Sequence, residues 1–105
     1  MIMRSSAKLA VLRRLAKYKM TNFQTAVLSA TLDIPKGETR TYGQIAAAAG
    51  HPKSYRAVGS ALKKNPLAPT IPCHRVIKSG GALGRYSGPG GAKRKMRLLR
   101  SEGAL

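Results

Sequence analysis

Proline and glycine cut this chain into pieces too short for anything but small helices. Pro35 and Gly37 close the first long segment, Gly50 and Pro52 close the next, and Pro66 closes a third. Proline lacks an amide proton and clashes with the preceding turn, and glycine leaves helix geometry at little steric cost. From Pro66 onward the pattern breaks, with glycines at 80, 81, 84, 88, 90 and 91. The fold expected is mainly α.

Between the cuts, each segment carries its own start signal. Residues 5–20, with Ser5 or Ser6 as cap and Leu9, Leu12, Leu15 and Ala16 at helical spacing, read as a basic amphipathic helix. Thr21 or Asn22 opens a second helix with Phe23, Val27, Ala30 and Ile34 on roughly one face. "YGQIAAAAG" and "YRAVGSALKKN" form two short helices joined by the turn "HPKS", a helix-turn-helix pattern whose second member carries Arg56, Lys63 and Lys64. Gly59 and Ser60 sit in the middle of that helix at a cost in helix propensity of about 1 kcal/mol for the glycine. Close packing of helix on helix or close approach to a partner explains them equally. The short runs "RVI" and "RYS" suggest a hairpin or wing with a glycine-rich loop, and "AKRKMRLLRSE" a last helix with Met96, Leu98 and Leu99 inward and its basic residues outward. The architecture expected is a small winged helix-turn-helix-like domain.

Composition narrows the partner. A chain of 105 residues supports one small core. No apolar run reaches the roughly 18 to 20 residues needed to span a bilayer, and basic residues interrupt the amino terminus where a secretory leader is apolar. A soluble, non-secreted protein of the cytoplasm (nucleoid) or the nucleus is expected, with no membrane partner. Twenty Lys and Arg against three acids give a net charge of +17, and the cations are spread over the chain: six in residues 1–20, four in 53–64, three in 75–85 and five in 93–100. Surfaces that are basic merely for solubility interleave Glu with Lys; this one does not. A folded basic face for a polyanion, nucleic acid first, is the reading.

The lone cysteine sits in "IPCHRV". One cysteine forms no internal disulfide, and with two His, one Asp and two Glu scattered along the chain it has no partners for a four-ligand metal site. No metal and no cofactor is expected. A thiolate nucleophile needs a proton acceptor, and His74 supplies one if "PCH" lies in a turn, since neighbours on a strand face opposite ways. A buried Cys73 acting as a small hydrophobe is the competing reading.

"IPCHRV", preceded by "TYGQIAAAAGHPKSYRAVGSALKKNP" and followed by "GALGRYSG" and "LLRSE", resembles the DNA-binding and active-site domain of the O6-alkylguanine-DNA alkyltransferases over about Phe23 to Glu102. The resemblance implies residues 1–20 as a basic extension and 21–105 as the alkyltransferase domain, acting as a monomer on double-stranded DNA that contains O6-alkylguanine. It implies minor-groove docking of the helix-turn-helix, flipping of the damaged base, and irreversible transfer of its alkyl group to Cys73. His74 is then the base acting through a water, Glu102 its orienting carboxylate, Asn65 the brace of the active-site turn and Tyr42 the donor to the guanine ring. Arg56 enters the emptied stack. Lys53, Lys63 and Lys64 hold phosphates, Ala57, Gly59 and Ser60 make room for the groove, and Val76, Tyr86 and Ser87 line the pocket.

Three departures from the family pattern stand out. Only about twenty residues precede the shared part where relatives carry a separate domain, the link "SGPGGAKRKMRLL" is about two residues longer than usual, and Leu28 replaces a common tryptophan. The basic helix of residues 8–19 is expected to cover the surface that the missing domain covers elsewhere. Rival functions are a non-reactive alkyltransferase-like protein, against which Cys73 argues, a plain helix-turn-helix DNA-binding protein, and a thiol hydrolase.

Overall fold

A computed structural model describes residues 5–79 and 91–104. Five α-helices are found among them: α1 (Ser5–Leu15), α2 (Asn22–Leu32), α3 (Tyr42–Ala48), α4 (Tyr55–Lys63) and α5 (Gly91–Ser101). Two strands of two residues each, β1 (Arg40–Thr41) and β2 (Val76–Ile77), pair in parallel, with Arg40 opposite Val76 and Thr41 opposite Ile77. The "RVI" run is therefore a strand, but its partner is the link before α3; the "RYS" run lies outside the described residues.

Two helices begin on the same reciprocal cap. Thr21 accepts from the Gln24 amide at 3.1 Å while the Gln24 side chain accepts from the Thr21 amide, and Thr41 and Gln44 repeat the arrangement at the start of α3. Each satisfies two amides that the first turn leaves without helical partners. Gly50 ends the α3 segment with φ +87°, and the His51 amide reaches back to the Ala46 carbonyl at 2.9 Å. A left-handed residue there reverses the chain toward α4 without the strain a side chain brings. Phe23, at the start of α2, packs edge-on against the His51 ring with centroids 5.1 Å apart, which pins the turn of the helix-turn-helix to the body of the domain.

α2 is the central post. Val27, Leu28, Thr31 and Leu32 are all buried on it, joined in one core by Ile45 and Ala46 of α3, Val58, Ala61 and Leu62 of α4, and Ile71, Cys73 and Val76 of the segment that follows α4. Leu28 is fully enclosed, so the position tolerates the smaller side chain without opening to solvent. From α1 the core receives Val11 and Leu15; Leu9, expected inward, is 52 % exposed. Helical spacing of four puts Val11 and Leu15 on one stripe, and Leu9 lies well round from it. In α5, Met96 is likewise exposed at 39 %, while the inward positions belong to Leu99 and to Lys95, a cation expected in solvent. Leu98 packs against the edge of the core. None of the described helices is long and apolar enough to cross a membrane.

Candidate active site and DNA-binding face

The segment from Asn65 to Ile77 is built around one amide side chain. Asn65 donates from Nδ2 to the Ile71 carbonyl at 2.9 Å and accepts at Oδ1 from the Leu67 amide at 3.0 Å, closing the loop 65–71 on itself. Pro72 then leads into a single 3-10 turn, Cys73–Arg75. Such a turn puts consecutive side chains about 120° apart instead of on opposite faces, so Cys73 and His74 both face the interior, 5 % and 1 % exposed.

Behind His74 stands a clamp. Glu102 follows directly on α5, and its Oε1 lies 3.0 Å from His74 Nε2 and accepts from Arg75 Nε at the same distance. Arg75 Nη2 donates to Oε2 at 2.6 Å, a two-pronged pairing, and Nη1 donates to the Ile34 carbonyl at 2.8 Å. The longer link before α5 does not keep Glu102 from this position. Gly37, with φ +90°, lies where an added Cβ would come within 3.1 Å of the Glu102 carbonyl, so the loop after α2 presses closely against the clamp. Arg75, one residue past the "PCH" that drew attention, is the member of this network that the motif did not single out.

The charges follow from burial and pairing. Burial lowers the His74 pKa, opposed only in part by Glu102, so the imidazole is neutral near pH 7. With Nε2–H donated to the carboxylate, Nδ1 carries the lone pair that accepts a proton. Burial alone raises the Glu102 carboxyl, but hydrogen bonds and charge from Arg75 and His74 outweigh it and hold the carboxyl below its usual range. Burial pushes the Cys73 thiol up, and a hydrogen bond from Asn65 and the positive charge of Lys95 pull it back.

Lys95 is the residue that sequence reasoning missed. Its side chain is fully enclosed, Nζ donates to the Val76 carbonyl at 2.6 Å and lies 6.0 Å from the centroid of the Tyr42 ring, and burial depresses its pKa to about 8. In sequence it is one of five cations on a basic helix, and nothing but its i, i+4 spacing to Leu99 marks it as inward. Tyr42, at the first position of α3, has its own pKa raised by burial and by the Cys73 sulfur, so its hydroxyl stays protonated. Asn65, Lys95 and Tyr42 thus share electrostatic interactions with the thiol, Lys95 is held by the Val76 carbonyl, and Arg75 and Glu102 pair with each other beside His74. Among the described residues no three His, Cys, Asp or Glu side chains are grouped as metal ligands.

α4 presents the other face. Arg56, Ala57, Ser60, Lys63 and Lys64 are exposed, as is Lys53 in the preceding turn, and Gly59 is half-buried beside Tyr42. An added Cβ at Gly59 would meet Tyr42 Cε1 at 3.9 Å, an ordinary contact, so helix packing does not require glycine at this point. Of the two explanations open from sequence, close approach by an outside partner is the one this spacing favours. Tyr55, 52 % exposed at the head of the same helix with the Arg56 guanidinium 5.9 Å from its ring centroid, is a further surface aromatic that the motif did not flag. Tyr86 and Ser87 lie outside the described residues.

A family model described as "6-O-methylguanine DNA methyltransferase, DNA binding domain" matches residues 22–104. The chain belongs to that family. Among its relatives in the 6-O-methylguanine DNA methyltransferase family, the methylated-DNA--protein-cysteine methyltransferase of Methanosarcina acetivorans is 50 % identical over 84 residues, 80 % of this chain and 53 % of the relative. That of Mus musculus is 49 % identical over 87 residues, 82 % of this chain and 41 % of the relative. The chain therefore spans about half the length of the curated methyltransferases it matches. Mycobacterium tuberculosis OGT in complex with DNA superposes with a TM-score of 0.76 at 50 % identity, covering 80 % of this chain and 50 % of that one. S. pombe Atl1, crystallised with damaged DNA containing O6-carboxymethylguanine, superposes at 0.70 with 38 % identity, covering 81 % of this chain and 79 % of its own. α1 lies before the residues that the family model matches.

Proposed function

We propose that this chain repairs O6-alkylguanine in double-stranded DNA by taking the alkyl group onto Cys73. The observation that carries the reading is the enclosed Cys73–Arg75 turn, with Glu102 hydrogen-bonded to His74 Nε2 behind it and the enclosed Lys95 ammonium on the Val76 carbonyl next along the chain. Docking of α4 in the minor groove, with Arg56 entering the stack, brings a flipped guanine over the thiol. His74 Nδ1 accepts the thiol proton through a water, and Glu102 orients the ring and balances the imidazolium that forms. The sulfur attacks the alkyl carbon, the S–C bond forms as the bond to O6 breaks, and the electron pair stays with the base. Tyr42, protonated and close to the sulfur, donates to the guanine ring so that the departing base is not a bare anion. Val76, Tyr86 and Ser87 form the pocket, and Lys53, Lys63 and Lys64 hold phosphates.

The thioether has no route back to a thiol in this site, so one molecule repairs one base. No cofactor takes part. In this reading residues 1–20 are an added segment that covers core surface, supported by the burial of Val11 and Leu15.

Intact-mass measurement after incubation with an O6-methylguanine duplex tests the reading. One added methyl, mapped to Cys73 and absent from Cys73→Ser, is expected. Tight lesion binding with no mass change points instead to a non-reactive recogniser of the lesion.

A further inference from the structure

The three acids of the chain are each committed. Asp33 accepts from Lys8 at 2.9 and 2.8 Å, Glu38 pairs with Arg40 at 3.1 Å, and Glu102 belongs to the His74 and Arg75 clamp. The first acid in sequence is Asp33, so residues 1–32 hold six cations and no carboxylate. Within α1 and the 3-10 turn that extends it (Ala16–Tyr18), Lys8 is spent on Asp33, which ties the helix to the end of α2. Arg13, Arg14, Lys17 and Lys19 remain, all exposed, with no acid of this chain available to them.

Their placement is fixed by the buried stripe. Val11 and Leu15 face the core, and at roughly 100° per residue Arg13 falls on the far side of the helix from both. Arg13 and Arg14 occupy the last turn of α1, and Tyr18, 52 % exposed, stands between Lys17 and Lys19. Closely spaced cations with no internal counter-charge and an exposed aromatic among them match a sugar-phosphate backbone in both charge and stacking surface. Holding such cations together costs self-repulsion, which phosphate contact relieves by releasing counterions.

We propose that Arg13, Arg14, Lys17 and Lys19 form a second phosphate-binding face, separate from α4, that lengthens the protein's footprint on duplex DNA. It rests on the DNA reading above. The face lies outside the residues matched by the family model, so it belongs to this chain's own leading segment.

The test compares the full chain with an Arg13→Gln, Arg14→Gln, Lys17→Gln, Lys19→Gln variant, titrating undamaged duplex over a range of salt. Methyl transfer from free O6-methylguanine base, which has no phosphates to contact, is followed in parallel. The expected result is a plot of log affinity against log salt that is shallower by about two to four, and low-salt binding at least about tenfold weaker. Free-base transfer should stay at the wild-type value, melting temperature should hold or rise as self-repulsion is relieved, and an Arg13→Lys, Arg14→Lys control should keep the wild-type slope. If the fourfold variant does not fold, the pairs Arg13→Gln, Arg14→Gln and Lys17→Gln, Lys19→Gln are read on the same slope. An unchanged slope and low-salt affinity overturns the proposal, and so does a loss seen only with phosphatidylglycerol vesicles, which assigns the face to lipid. If the wild-type chain itself binds no duplex, the repair reading has failed first, a result distinct from a change between variants.

Discussion

Burial raises the Cys73 thiol pKa, and after Asn65 it is Lys95 that pulls it back. Its ammonium opposes the upward push of burial on Cys73, and its own pKa near 8 limits that help to pH values at which it stays charged. Replacing Lys95 by Met keeps the bulk and removes the charge. Wild type and variant differ most below about pH 8, where the ammonium is present, and converge above it as the wild-type amine loses its proton. Cys73 alkylation by iodoacetamide in Lys95→Met should therefore be slower at pH 7 by about threefold to tenfold, the equivalent of up to one unit in thiol pKa. Superimposable pH profiles would show that the Lys95 charge does not act on the thiol. The motif gave access to Cys73, His74 and Asn65 because their chemistry is local in the chain. Lys95 was hidden because a long cationic side chain on a basic helix is normally solvated, and only its enclosure here distinguishes it from Lys93.

At the level of elements, caps and breakers were readable and the pairings were not. Thr21 was legible as one of two candidate caps, and Gly50 announces the turn, whereas the reciprocal bonds from Gln24 and Gln44 show only in the structure. By contrast, two residues at 40–41 pair with two at 76–77, too short a match for alternation to show and too distant for a turn residue to dictate. α1 shows the same limit: of the face read as Leu9, Leu12, Leu15 and Ala16, Leu15 is buried and Leu12 packs against the core, but Leu9 is exposed and the second buried position is Val11, which that reading did not name. Leu15 is 1 % exposed, so Leu15→Ala should cost about 2–5 kcal/mol by chemical denaturation. A loss below about 0.5 kcal/mol would mean that α1 is an appendage, and the covering role given to residues 1–20 would fall with it.

For the whole molecule, the charge excess that pointed to a polyanion also works against the fold. Twenty cations and three acids on one small body repel one another, and each acid is already engaged by a cation. Screening relieves that repulsion, with a Debye length of about 30 Å at 0.01 M falling to about 8 Å at 0.15 M. Raising salt across that range should therefore stabilise the free protein by about 1 kcal/mol, roughly 4–8 °C in melting temperature, while weakening the duplex binding proposed for it. Calorimetry and binding titrations in the same buffers measure the two opposite trends; a melting temperature that falls with salt would mean that the ion pairs dominate.

Lys95, Leu99 and Glu102 lie on one stripe of α5 and its end, four and three residues apart, with Leu99 fully buried between the cation beside the sulfur and the carboxylate beside the imidazole. A substitution at this one apolar position that shifted the helix would move both charged groups at once, so a selection for sturdier cores would reach the thiol's surroundings without touching any residue that a chemist would name.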